Sequence, residues 1–128
     1  MITDVFMELA PRLPLRIDDC QQDSETLYLG GPGWSLRISG PWRLSKSEVI
    51  EASNGAELRA DMAGNINSVI NSEIVDIQPQ SRFNSLDIAL LMRDGRVLEV
   101  FSDYIYDNWL LTFQDVAIEG PLQSSEQQ

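Results

Sequence analysis

Histidine is absent from this chain, and cysteine occurs once, as Cys20. Without histidine the chain lacks the side chain whose unperturbed pKa suits proton transfer near neutrality, so Ser/His/Asp and Cys/His catalytic arrangements are excluded. Both absences together remove the nitrogen and sulfur ligand sets of ordinary zinc sites, and a lone thiol cannot close an internal disulfide. A reducing, cytoplasmic setting is the expectation. Asp18 and Asp19 disfavour a thiolate at Cys20, which reads as a half-buried strand-end residue. Apolar residues nowhere run unbroken for the roughly 18 positions that a bilayer-spanning helix needs. The Met1 to Pro11 segment carries Asp4 and Glu8 and no basic stretch, so neither export nor membrane insertion is expected.

Positive charge is also scarce. Nine Lys and Arg stand against 20 Asp and Glu, a net charge of −11. From Val97 onward there are six acids, Glu99, Asp103, Asp107, Asp115, Glu119 and Glu126, and no Lys or Arg at all. Such a field repels nucleic acid and anionic membrane, and speeds salt-dependent association with basic protein surfaces. Neither nucleic acid nor membrane is therefore expected as a partner. What the chain does have is 43% hydrophobic residues in 128 positions, enough for one ordinary core.

Periodicity assigns the elements. Ile2, Val5, Phe6 and Leu9 at helical spacing, closed by Pro11, predict a short amphipathic helix. Leu13, Leu15 and Ile17 alternate with polar partners as a strand, and Gln21 to Ser24 reads as a polar turn. Leu27 and Leu29, then Gly30-Gly31-Pro32-Gly33, then Trp34, Leu36 and Ile38 form a β-hairpin pattern; no Lys-Ser/Thr and no helix follows the glycines, which excludes a phosphate-binding loop. Gly40-Pro41 marks a bend at a sheet margin before Trp42, which reads as buried. Asn54 and Glu57 resemble a capping box, and Leu58, Met62, Ile66, Val69 and Ile70 then share one helical face, interrupted by Gly64.

The strongest local signal lies from Leu86 to Phe101, with Asp94-Gly95 between two apolar runs. A two-residue turn there pairs Arg93 with Arg96, Leu91 with Leu98, Leu90 with Glu99 and Ala89 with Val100. That register makes both faces of the ribbon apolar and places it mid-fold, with Glu99 partly buried opposite Leu90. A short strand from Ile74 to Ile77 ending at Gln78-Pro79, a last core strand through Trp109, Leu111 and Phe113, and an edge at Val116 to Ile118 complete the pattern. The fold expected is α+β: mainly antiparallel β-sheet, curled or sandwich-like and hairpin-rich, with one or two short helices. One domain over residues 1–120 and a disordered Ser/Gln-rich tail over 121–128 are the organisation this implies.

The candidate binding surface is the loop carrying Asp103, Tyr104, Tyr106 and Asp107, because tyrosine supplies rigid contact area and the acids supply sign. Asp115 and Glu119 add a supporting negative field. Neither Asp103 with Asp107 nor Asp18, Asp19 and Asp23 has the spacing of a calcium loop, so no metal and no cofactor is expected.

The segments Trp34-Ser35-Leu36-Arg37-Ile38, Gly40-Pro41-Trp42-Arg43-Leu44 and Leu90 to Asp103 with Trp109 resemble a family of small bacterial proteins linked to polymorphic or contact-dependent toxin systems. The resemblance covers Leu27 to Phe113, and its motifs are structural, none of them catalytic. It implies an immunity protein: cytoplasmic, without enzymatic activity, binding and neutralising a cognate toxin domain. The charge distribution separately suggests a basic target such as a nuclease. The competing expectation is a small ligand-binding or regulatory β domain with an apolar pocket; a carboxylate-only enzyme ranks behind both.

Overall fold

The structure, a computed structural model, describes residues 2–23, 26–47, 49–53, 65–81, 84–103 and 108–122. The described chain forms two packed antiparallel sheets and one short α-helix, α1 (Ile2–Leu9), which runs into a 3-10 turn at Ala10–Arg12. The strands are β1 (Leu15–Arg16), β2 (Asp19–Asp23), β3 (Thr26–Gly31), β4 (Trp34–Ile38), β5 (Trp42–Lys46), β6 (Val49–Ser53), β7 (Glu73–Ser81), β8 (Asn84–Met92), β9 (Arg96–Val100), β10 (Trp109–Phe113) and β11 (Ala117–Gly120). One sheet has six strands in the order β1-β7-β8-β9-β5-β6, the other five in the order β11-β10-β4-β3-β2. No helix among the described residues is long and apolar enough to cross a membrane.

Alternation makes the core. Trp34, Leu36 and Ile38 of β4 and Trp109 and Leu111 of β10 point inward from the five-stranded sheet. The registered row Ile77, Leu90, Leu98, Leu44 and Ala52 points inward from the six-stranded sheet. Each fully buried Leu or Ile contributes about 1.5–3 kcal/mol relative to exposure, so these two inner faces dominate folding. Leu9 of α1 joins the same core, as the helical spacing requires.

The chain changes sheets at a few short segments. Ile17 hands β1 to β2: its amide donates to the Ser72 carbonyl (2.9 Å), while the next amide, of Asp18, donates to Gly30 (2.8 Å). Ser39 to Pro41 carries β4 into β5, which explains the glycine and proline there. A Cβ on Gly40 would lie 2.8 Å from the Phe101 carbonyl. Phe101 to Asp103 leave β9, and Asn108 leads into β10. The sandwich thus has a crossover end, with these last two segments, and a hairpin end, with the Pro32-Gly33 and Asp94-Gly95 turns.

Several expectations need correction. The β8–β9 register is shifted by one residue: Ala89 faces Glu99, Leu90 faces Leu98 and Leu91 faces Val97. The loop is Arg93-Asp94-Gly95, with Gly95 at φ 94° and its amide bonded to Met92, so glycine supplies the left-handed residue of a three-residue turn rather than half of a two-residue one. A one-residue slip exchanges faces. The ribbon is therefore apolar inward, and outward it presents partly exposed Leu91, Val97 and Glu99. Gln21 to Asp23 belong to β2, not to a turn, and β7 continues through Pro79 with register shifts on either side of its middle. The strand expected from Leu13 is ordered as strand only at Leu15–Arg16. Residues 54–64 of the expected helix lie outside the described residues; Asn65–Val69 is a 3-10 turn with Ile66 and Val69 buried, and Ile70 is exposed. Leu122, assigned to the tail, is buried, and its amide donates to the Leu86 carbonyl (2.6 Å).

Candidate functional site

Two buried polar residues, Asp87 and Asn108, hold the backbone at Ser102 and Asp103 at the crossover end. Asp87, 2% exposed, follows Leu86 in β8. Its carboxylate accepts from the Ser102 amide (3.0 Å), the Ser102 hydroxyl and the Trp109 indole N–H (2.9 Å). Asn108, equally buried, accepts the Asp103 amide on its side-chain oxygen (3.1 Å). Its own carbonyl accepts from Ser39 (2.7 Å) and Gly40 (3.0 Å), and its amide donates to Gly120 (3.0 Å). Gly120 lies against Trp109 so closely that a Cβ would fall 1.8 Å from the indole nitrogen. Both sides of the predicted loop are thus fixed to the framework, and Asp103 is exposed. Tyr104, Tyr106 and Asp107 lie outside the described residues.

The remaining site residues do not join Asp103. Asp115 follows the far end of β10, at the hairpin end, in a two-pronged pair with Arg12 (2.7 and 2.8 Å) whose guanidinium lies over the Phe113 ring (4.6 Å). The hydrogen bond to Arg12 holds the Asp115 carboxyl below the usual carboxylate range. Glu119 is exposed on the outer face of the five-stranded sheet opposite Leu110, one position from the crossover row of Trp109 and Gly120.

The pairing of charges differs between the ends. At the hairpin end Arg12, Arg16, Arg93 and Arg96 are bonded to Asp115, Asp18, Glu73 and Asp94 at 2.7–2.8 Å. Arg96 is nearly buried and also donates to the Ser68 hydroxyl and carbonyl and to Ser72; its hydrogen bond lowers the Asp94 pKa. Towards the crossover end, the exposed acids Asp23, Asp103 and Glu119 have no bonded cation among the described residues. Among the described residues the hairpin end thus holds four ion pairs with exposed Asp19 bonded only to Gln21, while the crossover side holds the Arg43–Glu99 pair beside these three open acids.

Glu99 is partly buried, but its partners are Arg43 (2.8 Å) and Gln80 (2.8 Å), not the apolar Leu90. Two shallow troughs of about 420 Å³ each flank Val97 and Glu99 on the outer face of the six-stranded sheet. Both lie open on the sheet face. Cys20 points into the core with its sulfur 3.6 Å from the Ile66 carbonyl, and burial, then Asp19, pushes its pKa up to about 11. Among the described residues no three Cys, Asp or Glu converge as metal ligands.

Sequence reasoning missed Asp87 and Asn108. An acid inside the apolar run Leu86–Ile88 was the available signal for Asp87; Asn108 gave none. No protein-family model matches the chain, and no curated protein or solved structure is significantly similar to it.

Proposed function

We propose that the protein is a binding protein of the immunity type: it neutralises a cognate bacterial toxin domain with a basic surface, such as a nuclease, in the cytoplasm of the cell that makes both. The observation that carries the reading is the charge asymmetry. Among the described residues exposed Asp23, Asp103 and Glu119 towards the crossover end have no bonded cation, while four acids at the hairpin end are matched to arginines. The backbone at Ser102 and Asp103 is anchored there through Asp87 and Asn108, so Asp103 is held before the partner arrives. Prepaid ordering of this kind raises affinity, and an uncancelled field raises the association rate. Tyr104, Tyr106 and Asp107 complete the contact set, and Glu119, exposed on the outer face of the five-stranded sheet, adds to the negative field. Asp115 belongs to the opposite end and is left out.

The test is to mix the protein with the toxin domain encoded beside it and to measure stoichiometry, toxin activity and salt dependence. A one-to-one complex that weakens with salt and loses toxicity is expected. A protein that forms no complex with any basic domain, or whose complex is indifferent to salt, contradicts the reading.

A further inference from the structure

Sheet edges expose unpaired backbone N–H and C=O groups, and native sheets blunt them with short strands, proline, lysine or bulges. Three of the four edges here are blunted. β1 is two residues long and follows Pro14, β6 pairs with β5 through a register shift, and β11 is four residues long and stopped by Pro121. β2 is different. It is five residues long, pairs with β3 in unbroken register and contains no proline, lysine or arginine. Among the described residues its backbone hydrogen bonds go to β3 alone.

The side chains state which strand the edge would accept. Cys20 points inward, and Asp19, Gln21, Gln22 and Asp23 are exposed. If two copies paired antiparallel about Gln21, Asp19 would stand opposite Asp23 of the second copy at both ends. Like charges directly opposite each other in a sheet destabilise it, so the edge rejects itself; a strand carrying lysine or arginine at those positions reverses the sign. Tyr28, 42% exposed, lies across from Gln21 on β3. Beside it a trough of about 350 Å³ runs along the same face, with Asp19 and Gln21 on its β2 side and Ser35 and Arg37 on its β4 side, so a long side chain has room nearest the edge acid.

We infer that β2 is a docking edge for a basic extended segment of a protein partner, added as a sixth strand to the five-stranded sheet with its cations opposite Asp19 and Asp23. The inference rests on the reading of a basic partner and assigns it a second contact, independent of the Asp103 loop.

The experiment uses the full chain and a capped hexapeptide of alternating lysine and valine, with a glutamate and valine peptide as control, followed by amide NMR at low salt. The lysine peptide is expected to shift and protect amides of β2, and the glutamate peptide to leave them unchanged. Asp19→Lys with Asp23→Lys should weaken lysine-peptide binding at least tenfold and admit the glutamate peptide. Shifts centred elsewhere, or unchanged affinity in the double variant, overturn the inference. A second measurement needs no peptide. Asp23→Lys alone makes the edge self-complementary, Asp19 facing Lys at position 23 of the other copy, so sedimentation should show a concentration-dependent dimer; a monomer throughout contradicts the inference. A toxin domain that binds the double variant as tightly as the parent removes β2 from the interface and leaves the proposed function standing. Lysine-peptide binding at β2 without any basic protein partner removes the proposed function and keeps the edge.

Discussion

Among the described residues each end of the sandwich buries one charged side chain, and the two are held by different sets of groups. Arg96 at the hairpin end meets a counter-charge, Asp94, and two serines. Asp87 at the crossover end receives hydrogen bonds from, among its partners, the Ser102 amide and hydroxyl and the Trp109 indole. Neutral donors stabilise a carboxylate without cancelling its charge. The hairpin end thus ties a buried cation to an exposed acid, whereas the crossover end ties a buried acid to the chain that leads to Asp103.

Substitutions at the anchors should separate the ends. Asp87→Ala strands the Ser102 amide and the Trp109 indole N–H inside the protein, at about 1–3 kcal/mol for each unsatisfied group, so a loss of about 3–5 kcal/mol by urea unfolding is expected. Asp87→Asn, which keeps one acceptor oxygen, should lose less. If Asp87→Ala proves neutral, the anchor is not what holds residue 102 against the framework.

Arg96→Met should cost about 1–3 kcal/mol, less than Asp87→Ala, because the abandoned Asp94 reaches water. It should also change the acid limb of the stability profile. The Asp94 pKa is lowered by folding, so its contribution is present above the ordinary carboxylate range and fades as pH falls through the folded value. Arg96→Met is expected to flatten that limb; an unchanged profile would show that the pair does not couple to folding.

Gly120→Ala pushes a methyl into Trp109 and should cost about 1–3 kcal/mol while altering the near-ultraviolet circular dichroism of the indole. Retention of both signal and stability would mean that the β10–β11 contact is looser than the 1.8 Å approach implies.

Cys20 offers a smaller, alkaline effect. Its thiol ionises at about 11 in the fold against 9.0 ordinarily. The unfolded chain therefore loses its proton first, and stability should decline as pH rises from about 9 towards 11, less so in Cys20→Ala. Thiol reagents should label the native protein slowly near pH 8; rapid labelling would place Cys20 outside the core. The smallest effect belongs to Asp115→Asn, since both partners of that ion pair lie at the surface, where salt screens them; its unfolding midpoint should match the parent.

Much of the sandwich was legible because alternation is a local signal. The hairpin through Gly30 to Gly33, the core strand at Trp109 to Phe113 and the α1 helix all follow from spacing alone. The β8–β9 register was not legible, because Asp-Gly is compatible with turns of two or three residues and only cross-strand packing decides between them. β2 was read as a turn because Gln21, Gln22 and Asp23 are polar on both faces, which an exposed edge strand permits and a local pattern cannot distinguish. The site was legible only in part. Composition indicated an acidic surface, but whether Asp103, Asp115 and Glu119 share it depends on which end of β10 each occupies. The pairing of Asp115 with Arg12 spans 103 positions of sequence, beyond any local pattern.

The most direct test of the account compares charge reversal at the two ends. Affinity for the cognate toxin domain should be measured across salt concentrations for Asp103→Lys and, separately, Asp115→Lys. The account expects Asp103→Lys to weaken binding at least tenfold and to flatten its salt dependence, with Asp115→Lys close to the parent. Equal losses at the two ends, or a loss confined to Asp115→Lys, would contradict the assignment of the binding surface to the crossover end.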